Sequence, residues 1–225
     1  IAPGNYRELV VHGYRGTAAD NIYFIGDPDC EIFGTANGIV PGAVRITDAA
    51  DETEFGSDDS NTKIVNFGSY NYITWKNVYV DGVTSGPNAY NDNNTGYGFY
   101  ANNNSSDPNS VINCMAQGIK YGFYRIYDIR DSYAIGNGQY GFYDCERVDR
   151  CLAFGSFYAF SNCDNVSNSI GEASWVPFYY NDRVINCLAI GGYYNTIGAS
   201  SDFNYNNIHL GGRYVLGAFN TTGTG

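Results

Sequence analysis

The stretch that decides the fold runs from residue 113 to 189, where one short motif occurs five times. The copies are Asn113-Cys114-Met115-Ala116, Asp131-Ser132-Tyr133-Ala134, Arg150-Cys151-Leu152-Ala153, Asn168-Ser169-Ile170-Gly171 and Asn186-Cys187-Leu188-Ala189. Their second residues are 18, 19, 18 and 18 positions apart. Two further rows keep this period, one of Phe123, Phe142, Phe160 and Phe178 and one of Ile129, Val148, Val166 and Val184. A fixed period of this length indicates a repeat architecture.

The repeat unit, called a coil below, consists of short apolar pieces separated by Gly, Asn and Asp. Such a unit cannot bury its own apolar side chains, so each coil must stack on the next. The sequence therefore predicts an all-β fold, a single-stranded right-handed parallel β-helix (solenoid) with about 18–19 residues per coil in the C-terminal half. The handedness follows from the general preference of parallel crossovers. Equivalent residues would lie about 4.8 Å apart, with the Phe and Ile/Val rows buried.

The upstream coils are longer. The segment 77–82 matches 113–118 at a distance of 36 residues, and the additional length is rich in Asn. We expect one β-helix domain over residues 1–219, with protruding loops at 48–61 and 87–109 and a flexible tail at 220–225.

Composition limits the functions. The 225 residues carry a net charge of −11, which argues against a nucleic-acid partner. No apolar run is long enough to span a membrane, so no membrane insertion is expected. The repeat explains the cysteines as core residues, except Cys30, which it does not assign. Only Cys145 and Cys163 fall on adjacent coils, where stacked thiols are favoured but their redox state is left open.

A family resemblance covers nearly the whole chain. The segments 3–6, 16–24 and 71–78 resemble the opening coils of the pectin-lyase-like right-handed β-helix superfamily, and the Asn-Cys-x-Ala-x-Gly units resemble its later coils. The resemblance implies the fold. It leaves function open, because the superfamily includes polysaccharide lyases, glycoside hydrolases, phage tailspikes and adhesive or structural β-helices.

A row of tyrosines follows the predicted Phe row. By strand alternation Tyr124, Tyr143 and Tyr179 should point outward, as flat platforms on which sugar rings of a polysaccharide could stack, together with Trp175. The alternative is a tyrosine ladder that only stabilises the sheet.

The resemblance implies two catalytic alternatives, of which the first is a lyase. Lyases of this superfamily use a Lys or Arg base, often beside Ca²⁺ held by Asp. Lys63 follows the acidic loop that contains Asp58 and Asp59, which makes these residues Ca²⁺ candidates. The competing interpretation is a solvated acidic loop, with no cofactor.

The second catalytic alternative is a hydrolase. Glu146, Asp164 and Asp182 fall in one column, about 5 Å apart per coil, a spacing that suits a pair of catalytic carboxylates. Because Arg147, Arg150 and Arg183 are close in sequence, a charge-balanced surface ridge is the alternative.

The first motif predicts a strand that is apolar on both faces. Its small residues face the interior, and its other residues form a stripe on the outside. The stripe consists of Met115, Tyr133, Leu152, Ile170 and Leu188, followed by Ile135, Phe154 and Ile190. A sheet with two apolar faces is normally covered on both. We expect a homo-oligomer, with a trimer favoured, or other virion or surface proteins as partners that cover the outer stripe. The alternative is that the loop at 87–109 of the same chain covers it.

Together these features favour a non-catalytic surface or virion β-helix of the tail-fibre or adhesin kind, located extracellularly, at the cell surface or in a virion. It would assemble through the apolar stripe and contact polysaccharide. The alternatives are a polysaccharide lyase or glycoside hydrolase, and a purely structural filament or virion module.

Overall fold

The computed structural model of the protein describes residues 1–7, 10–31, 44–47, 63–82, 96–102, 108–194, 196–197, 204–205 and 208–210. Within them every regular element is a β-strand, and every strand pair is parallel. The predicted loop at 48–61 and the tail at 220–225 lie outside the described residues. The predicted loop at 87–109 contains a described strand, Tyr97–Ala101.

The strands form three columns. Column 1 contains β1 (Gly4–Arg7), β4 (Val44–Thr47), β7 (Tyr79–Asp81), β10 (Met115–Gln117), β13 (Tyr133–Ile135), the first parts of β16 (Leu152–Ser161) and β18 (Ile170–Tyr179), β20 (Leu188–Gly191) and β23 (Ile208–Leu210). Column 2 contains β2 (Val10–Val11), β5 (Lys63–Gly68), β8 (Tyr97–Ala101), β11 (Tyr121–Tyr124), β14 (Tyr140–Tyr143), the second parts of β16 and β18, and β21 (Thr196–Ile197). Column 3 contains β3 (Ile22–Ile25), β6 (Ile73–Lys76), β9 (Ser110–Ile112), β12 (Asp128–Arg130), β15 (Arg147–Asp149), β17 (Asn165–Ser167), β19 (Arg183–Ile185) and β22 (Asn204–Tyr205).

The chain visits the three columns in turn, so one strand from each makes a coil, and the described strands make eight such coils followed by β23. The register of column 1 pairs Met115 with Tyr133, Tyr133 with Leu152, and Leu152 with Ile170. The predicted period of 18–19 residues is therefore confirmed, and the arrangement fits a parallel β-helix.

The predicted core rows are also confirmed. Phe123, Phe142, Phe160 and Phe178 are all at most 2% exposed. Their successive ring centroids are 4.7, 5.0 and 5.0 Å apart, with planes within 11° of parallel. The column 3 row of Ile129, Val148, Val166 and Val184 is equally buried. One aromatic and one aliphatic stack thus fill the interior.

A sharp corner precedes each strand of column 1 from β7 to β20. The residues there adopt left-handed backbone conformations, with φ between 49° and 58° at Asn77, Asn113, Asp131, Arg150, Asn168 and Asn186. Asn and Asp tolerate this conformation because their short polar side chains bond locally. Asn113 donates to the Oδ1 of Asn77 at 2.9 Å, which extends the corner into a polar ladder between coils.

At other turns, the side-chain amides of buried asparagines bind the backbone groups that strand pairing leaves free. Asn181 is 1% exposed; its Oδ1 accepts from the backbone N–H of Cys163 at 2.9 Å and its Nδ2 donates to the carbonyl of Phe160 at 3.1 Å. Asn137 makes the same pair of bonds, to Ile119 and Ala116. These side chains pair backbone groups that would otherwise be buried without a partner.

The cysteines and one histidine complete the interior. All six cysteines are free thiols and buried. Burial is the main reason why the pKa of Cys145 is raised, and a hydrogen bond with Cys163 adds to it. At the other end of the helix, the indole N–H of Trp75 donates to Nε2 of His12 at 2.9 Å. Burial lowers the pKa of His12 to about 4, so it is neutral at pH 7.

Candidate functional site

Column 2 carries a tyrosine cluster on its outer surface. It consists of two rows, which are Tyr97, Tyr121, Tyr140 and Tyr158 in the first and Tyr100, Tyr124, Tyr143 and Tyr179 in the second. All eight side chains are half-buried. In the first row the ring centroids are 4.8, 5.1 and 5.0 Å apart, with planes within 14° of parallel. Only the second row was predicted from the sequence, although Tyr121, Tyr140 and Tyr158 of the first row are 19 and 18 residues apart.

The structure changes how the predicted sugar-binding residues are arranged. Tyr143 pairs with Ser161, and Ser161 pairs with Tyr179, so the second row is interrupted by a small buried side chain. Tyr179 contacts Tyr158 of the first row instead, at 4.7 Å. Because the rings cover one another's faces, the cluster exposes ring edges and hydroxyls rather than flat platforms. Glycan binding at these residues stays a prediction, now through hydroxyl groups.

Cations border the tyrosine cluster. The Nζ of Lys63 lies 4.7 Å from the ring centroid of Tyr100, and the guanidinium of Arg125 lies 5.1 Å from that of Tyr124. Arg125 also pairs with Asp144, with Nε and Oδ2 2.7 Å apart. Partial burial is the main cause that raises the pKa of Tyr124 to about 12. The Tyr124 phenol is therefore protonated at neutral pH and able to donate a hydrogen bond.

Trp175 lies outside the tyrosine cluster, in a separate aromatic row. Its ring stacks between those of Phe157 and Tyr193, with centroids 5.5 and 5.0 Å away and planes within 6° of parallel. Phe157 is 40% exposed and contacts Tyr158 edge to face at 4.9 Å. The aromatic row thus adjoins the cluster without belonging to it.

The three predicted carboxylates stand on adjacent coils at the turn between columns 2 and 3. Asp164 pairs by a hydrogen bond with Glu146, and Asp182 is close enough to affect its charge. Partial burial, followed by these two neighbours and Asp144, raises the pKa of Asp164 to about 6. The Asp164 carboxyl therefore exchanges its proton near pH 6, within the pH range in which general acid–base catalysts work.

The nearby arginines pair with other carboxylates. Arg147 lies 3.8 Å from Asp128, and Arg150 binds Asp131 through two hydrogen bonds, of 2.7 and 2.9 Å. The charge-balanced ridge considered from the sequence thus exists for these two arginines, but its partners are not the three predicted carboxylates.

The predicted calcium site cannot be described, because Asp58 and Asp59 lie outside the described residues. Lys63 is described, and its ammonium group faces the tyrosine cluster. Within the described ranges, no group of three or more His, Cys, Asp or Glu side chains is placed to hold a metal ion.

The outer side of column 1 forms an apolar face. Its half-exposed side chains lie in two rows, which are Leu152, Ile170 and Leu188 in one and Ile135, Phe154 and Ile190 in the other. Tyr133 at one end is 40% exposed, and Ile208 and Leu210 at the other are 55% and 54% exposed. Glu172, which pairs with Ile190, is a carboxylate within the face that the sequence analysis did not place there.

Met115 differs from the other residues predicted for this face. It is only 6% exposed and lies beside a groove of about 460 Å³ whose lining includes Pro28, Tyr79 and Tyr133. The turn containing Pro28 follows β3 and reaches this end of column 1. The apolar face open to solvent therefore begins at Tyr133, one coil later than predicted.

Comparisons of the chain with protein-family models, with curated proteins and with solved structures found no match. In the part of the chain that the structure describes, no helix is long and apolar enough to cross a membrane.

Proposed function

We propose that this protein is a non-catalytic β-solenoid that assembles with copies of itself through the apolar face of column 1. The observation that carries the proposal is that face, whose first row is apolar over consecutive coils and whose second row contains one carboxylate, Glu172. A monomer would leave these Leu, Ile and Phe side chains half-exposed. Contiguous exposed apolar surface of this kind is typical of interaction sites.

The charge distribution supports a second copy as the partner. The chain carries a net charge of −11, so two copies repel each other over most of their surfaces. The apolar face, by contrast, contains a single described carboxylate, Glu172. Association there brings the fewest like charges together. Three copies about an axis parallel to the coils would bury the face on every chain.

The free energy gained by burying this face is of the size that association requires. A large apolar side chain contributes about 1.5 to 3 kcal/mol when it passes from full exposure to full burial, and about half of that from a half-exposed state. The six side chains of the two rows therefore approach the cost of association, which is on the order of 4 to 15 kcal/mol.

Light scattering coupled to size exclusion tests this proposal. We expect the unmodified chain to have the mass of an oligomer, with a trimer favoured, and Leu152→Asp to reduce it. The matched control is Ile185→Asp, which places the same charge on an outward, half-buried position of column 3. A monomeric parent chain, or an unchanged mass in folded Leu152→Asp, would contradict the proposal.

The same proposal places the protein among tail fibres or adhesins of pectin-lyase-like, right-handed architecture, at a cell surface, in the extracellular space or in a virion. Polysaccharide contact would come from the hydroxyl edges of the tyrosine cluster. Tyr143→Phe keeps the ring and removes one hydroxyl, while Tyr143→Ala removes both and should weaken glycan binding by about 1 to 3 kcal/mol. Tyr14, which is 83% exposed elsewhere, provides the Tyr14→Ala control.

Glycoside hydrolysis is a second candidate function, favoured by the raised pKa of Asp164 beside Glu146. The backbones of adjacent coils stand about 4.8 Å apart, close to the carboxyl separation of retaining enzymes, about 5 to 5.5 Å. Incubation with acidic and neutral polysaccharides, followed by assays for binding and for new reducing or unsaturated ends, separates the two functions. Product formation that Asp164→Asn abolishes would favour the enzyme; binding without product would favour the proposed non-catalytic function.

A further inference from the structure

The tyrosine cluster has a chemical property that neither packing nor glycan binding requires. Its phenol rings contact one another across consecutive coils, and each of these side chains is partly exposed to solvent. A phenol that loses one electron and one proton becomes a phenoxyl radical, whose unpaired spin is shared by the oxygen and by the two ring carbons ortho to it. Two such radicals held in contact couple at these carbons.

Two pairs connect neighbouring coils with moderately inclined rings; two others, Tyr97 with Tyr124 and Tyr121 with Tyr143, are inclined more steeply, by 71° and 54°. Tyr124 and Tyr143 have centroids 5.4 Å apart and planes inclined by 31°. Tyr158 and Tyr179 have centroids 4.7 Å apart and planes inclined by 38°. Rings joined by a carbon–carbon bond lie only slightly closer than this, edge to edge. The parallel pairs of the first row, such as Tyr121 and Tyr140, present faces instead and need a larger rotation.

We propose that the tyrosine cluster is a site of oxidative cross-linking, at which a one-electron oxidant joins Tyr124 to Tyr143 and Tyr158 to Tyr179 as dityrosine. For each pair, a haem peroxidase using one hydrogen peroxide removes one hydrogen atom from each phenol and releases two waters. The two radicals form one carbon–carbon bond. The hydrogens on the joined carbons move to the oxygens, which restores two phenols, so the product lacks two hydrogen atoms.

The sulfur side chains that could compete for the oxidant are less accessible than these phenols. All six cysteines and Met115 are buried, and Met115 lies on column 1 rather than column 2. Each cross-link would close a loop of about one coil covalently, which restricts the unfolded chain as a disulfide does. The cross-linked protein should therefore melt at a higher temperature, as suits a fibre exposed to oxidants.

The test treats dilute, folded protein with a haem peroxidase and hydrogen peroxide, and then digests it with trypsin. Cleavage after Lys120, Arg125, Arg130 and Arg147 places Tyr124 in peptide 121–125 and Tyr143 in peptide 131–147. We expect these peptides as one linked species, lighter by two hydrogen atoms than their sum and fluorescent as dityrosine. Oxidation in urea should not give it, because only the folded chain holds the rings together.

Two variants make the result specific. Tyr124→Phe keeps the ring in place but removes the phenol, so it should abolish the linked species. Tyr133→Phe removes a tyrosine of the same tryptic peptide that lies on column 1, and it should leave the yield unchanged. The proposal is overturned if the linked species is absent from the parent protein, survives in Tyr124→Phe, or forms equally in urea.

Discussion

Replacing Phe142 by Leu should separate ring stacking from simple burial in the core. Phe142 is fully buried, with the rings of Phe123 and Phe160 parallel to it at 4.7 and 5.0 Å. Leu keeps most of the apolar volume but removes both aromatic pairs. At about 0.5 to 1.5 kcal/mol per pair, the expected loss is about 1 to 3 kcal/mol of unfolding free energy. Phe142→Ala also leaves a cavity and should cost about 3 to 5 kcal/mol.

Urea unfolding followed by circular dichroism measures these losses, and double variants locate them. Phe123→Leu combined with Phe142→Leu removes one shared stack, so the two losses should be less than additive by about 0.5 to 1.5 kcal/mol. Phe123→Leu combined with Phe160→Leu should be additive, since these rings are two coils, about 10 Å, apart. A negligible loss for Phe142→Leu, or equal coupling in both double variants, would refute the stacking argument.

Three further changes test other parts of the molecule. His12 has a folded-state pKa of about 4, below its ordinary 6.5, so its contribution to stability is complete above pH 6.5 and lost as pH falls through 4. The variant His12→Gln keeps an acceptor for the indole N–H, and its melting temperature should fall less over that pH range. Asp164 has the opposite pH dependence, because its pKa of about 6 exceeds the ordinary 3.8. Its contribution to stability is complete below pH 3.8 and lost as pH rises through 6, and Asp164→Asn should remove the corresponding decline in melting temperature. Asn181→Ala leaves two buried backbone groups unpaired and should cost about 1 to 3 kcal/mol of unfolding free energy per group, measured by urea unfolding. The control Asn165→Ala loses only a 3.5 Å hydrogen bond and should cost less. Equal losses would contradict this role of the buried Asn181 amide.

The candidate sites could be predicted from the sequence only in part. The column of Glu146, Asp164 and Asp182 follows from the period alone, because residues at equivalent positions of a repeat must stack. The arginines near them in sequence gave no guide to pairing, since Arg147 and Arg150 reach carboxylates on other strands and corners. The tyrosine rows were half predicted, because each Tyr-Gly-Phe-Tyr strand has two buried residues between two half-buried tyrosines, which departs from strict strand alternation.

The sequence by itself determined the all-β class, the coil length and the buried rows, since a period of 18–19 residues brings like side chains together whatever the turns do. Only the tertiary structure decided which surfaces remain open. It buried Met115 beside a groove that Pro28 also lines, and it separated Trp175 from the tyrosine cluster. The physical reason is that burial of an outward side chain depends on turn lengths and on segments remote in sequence, neither of which the repeat encodes.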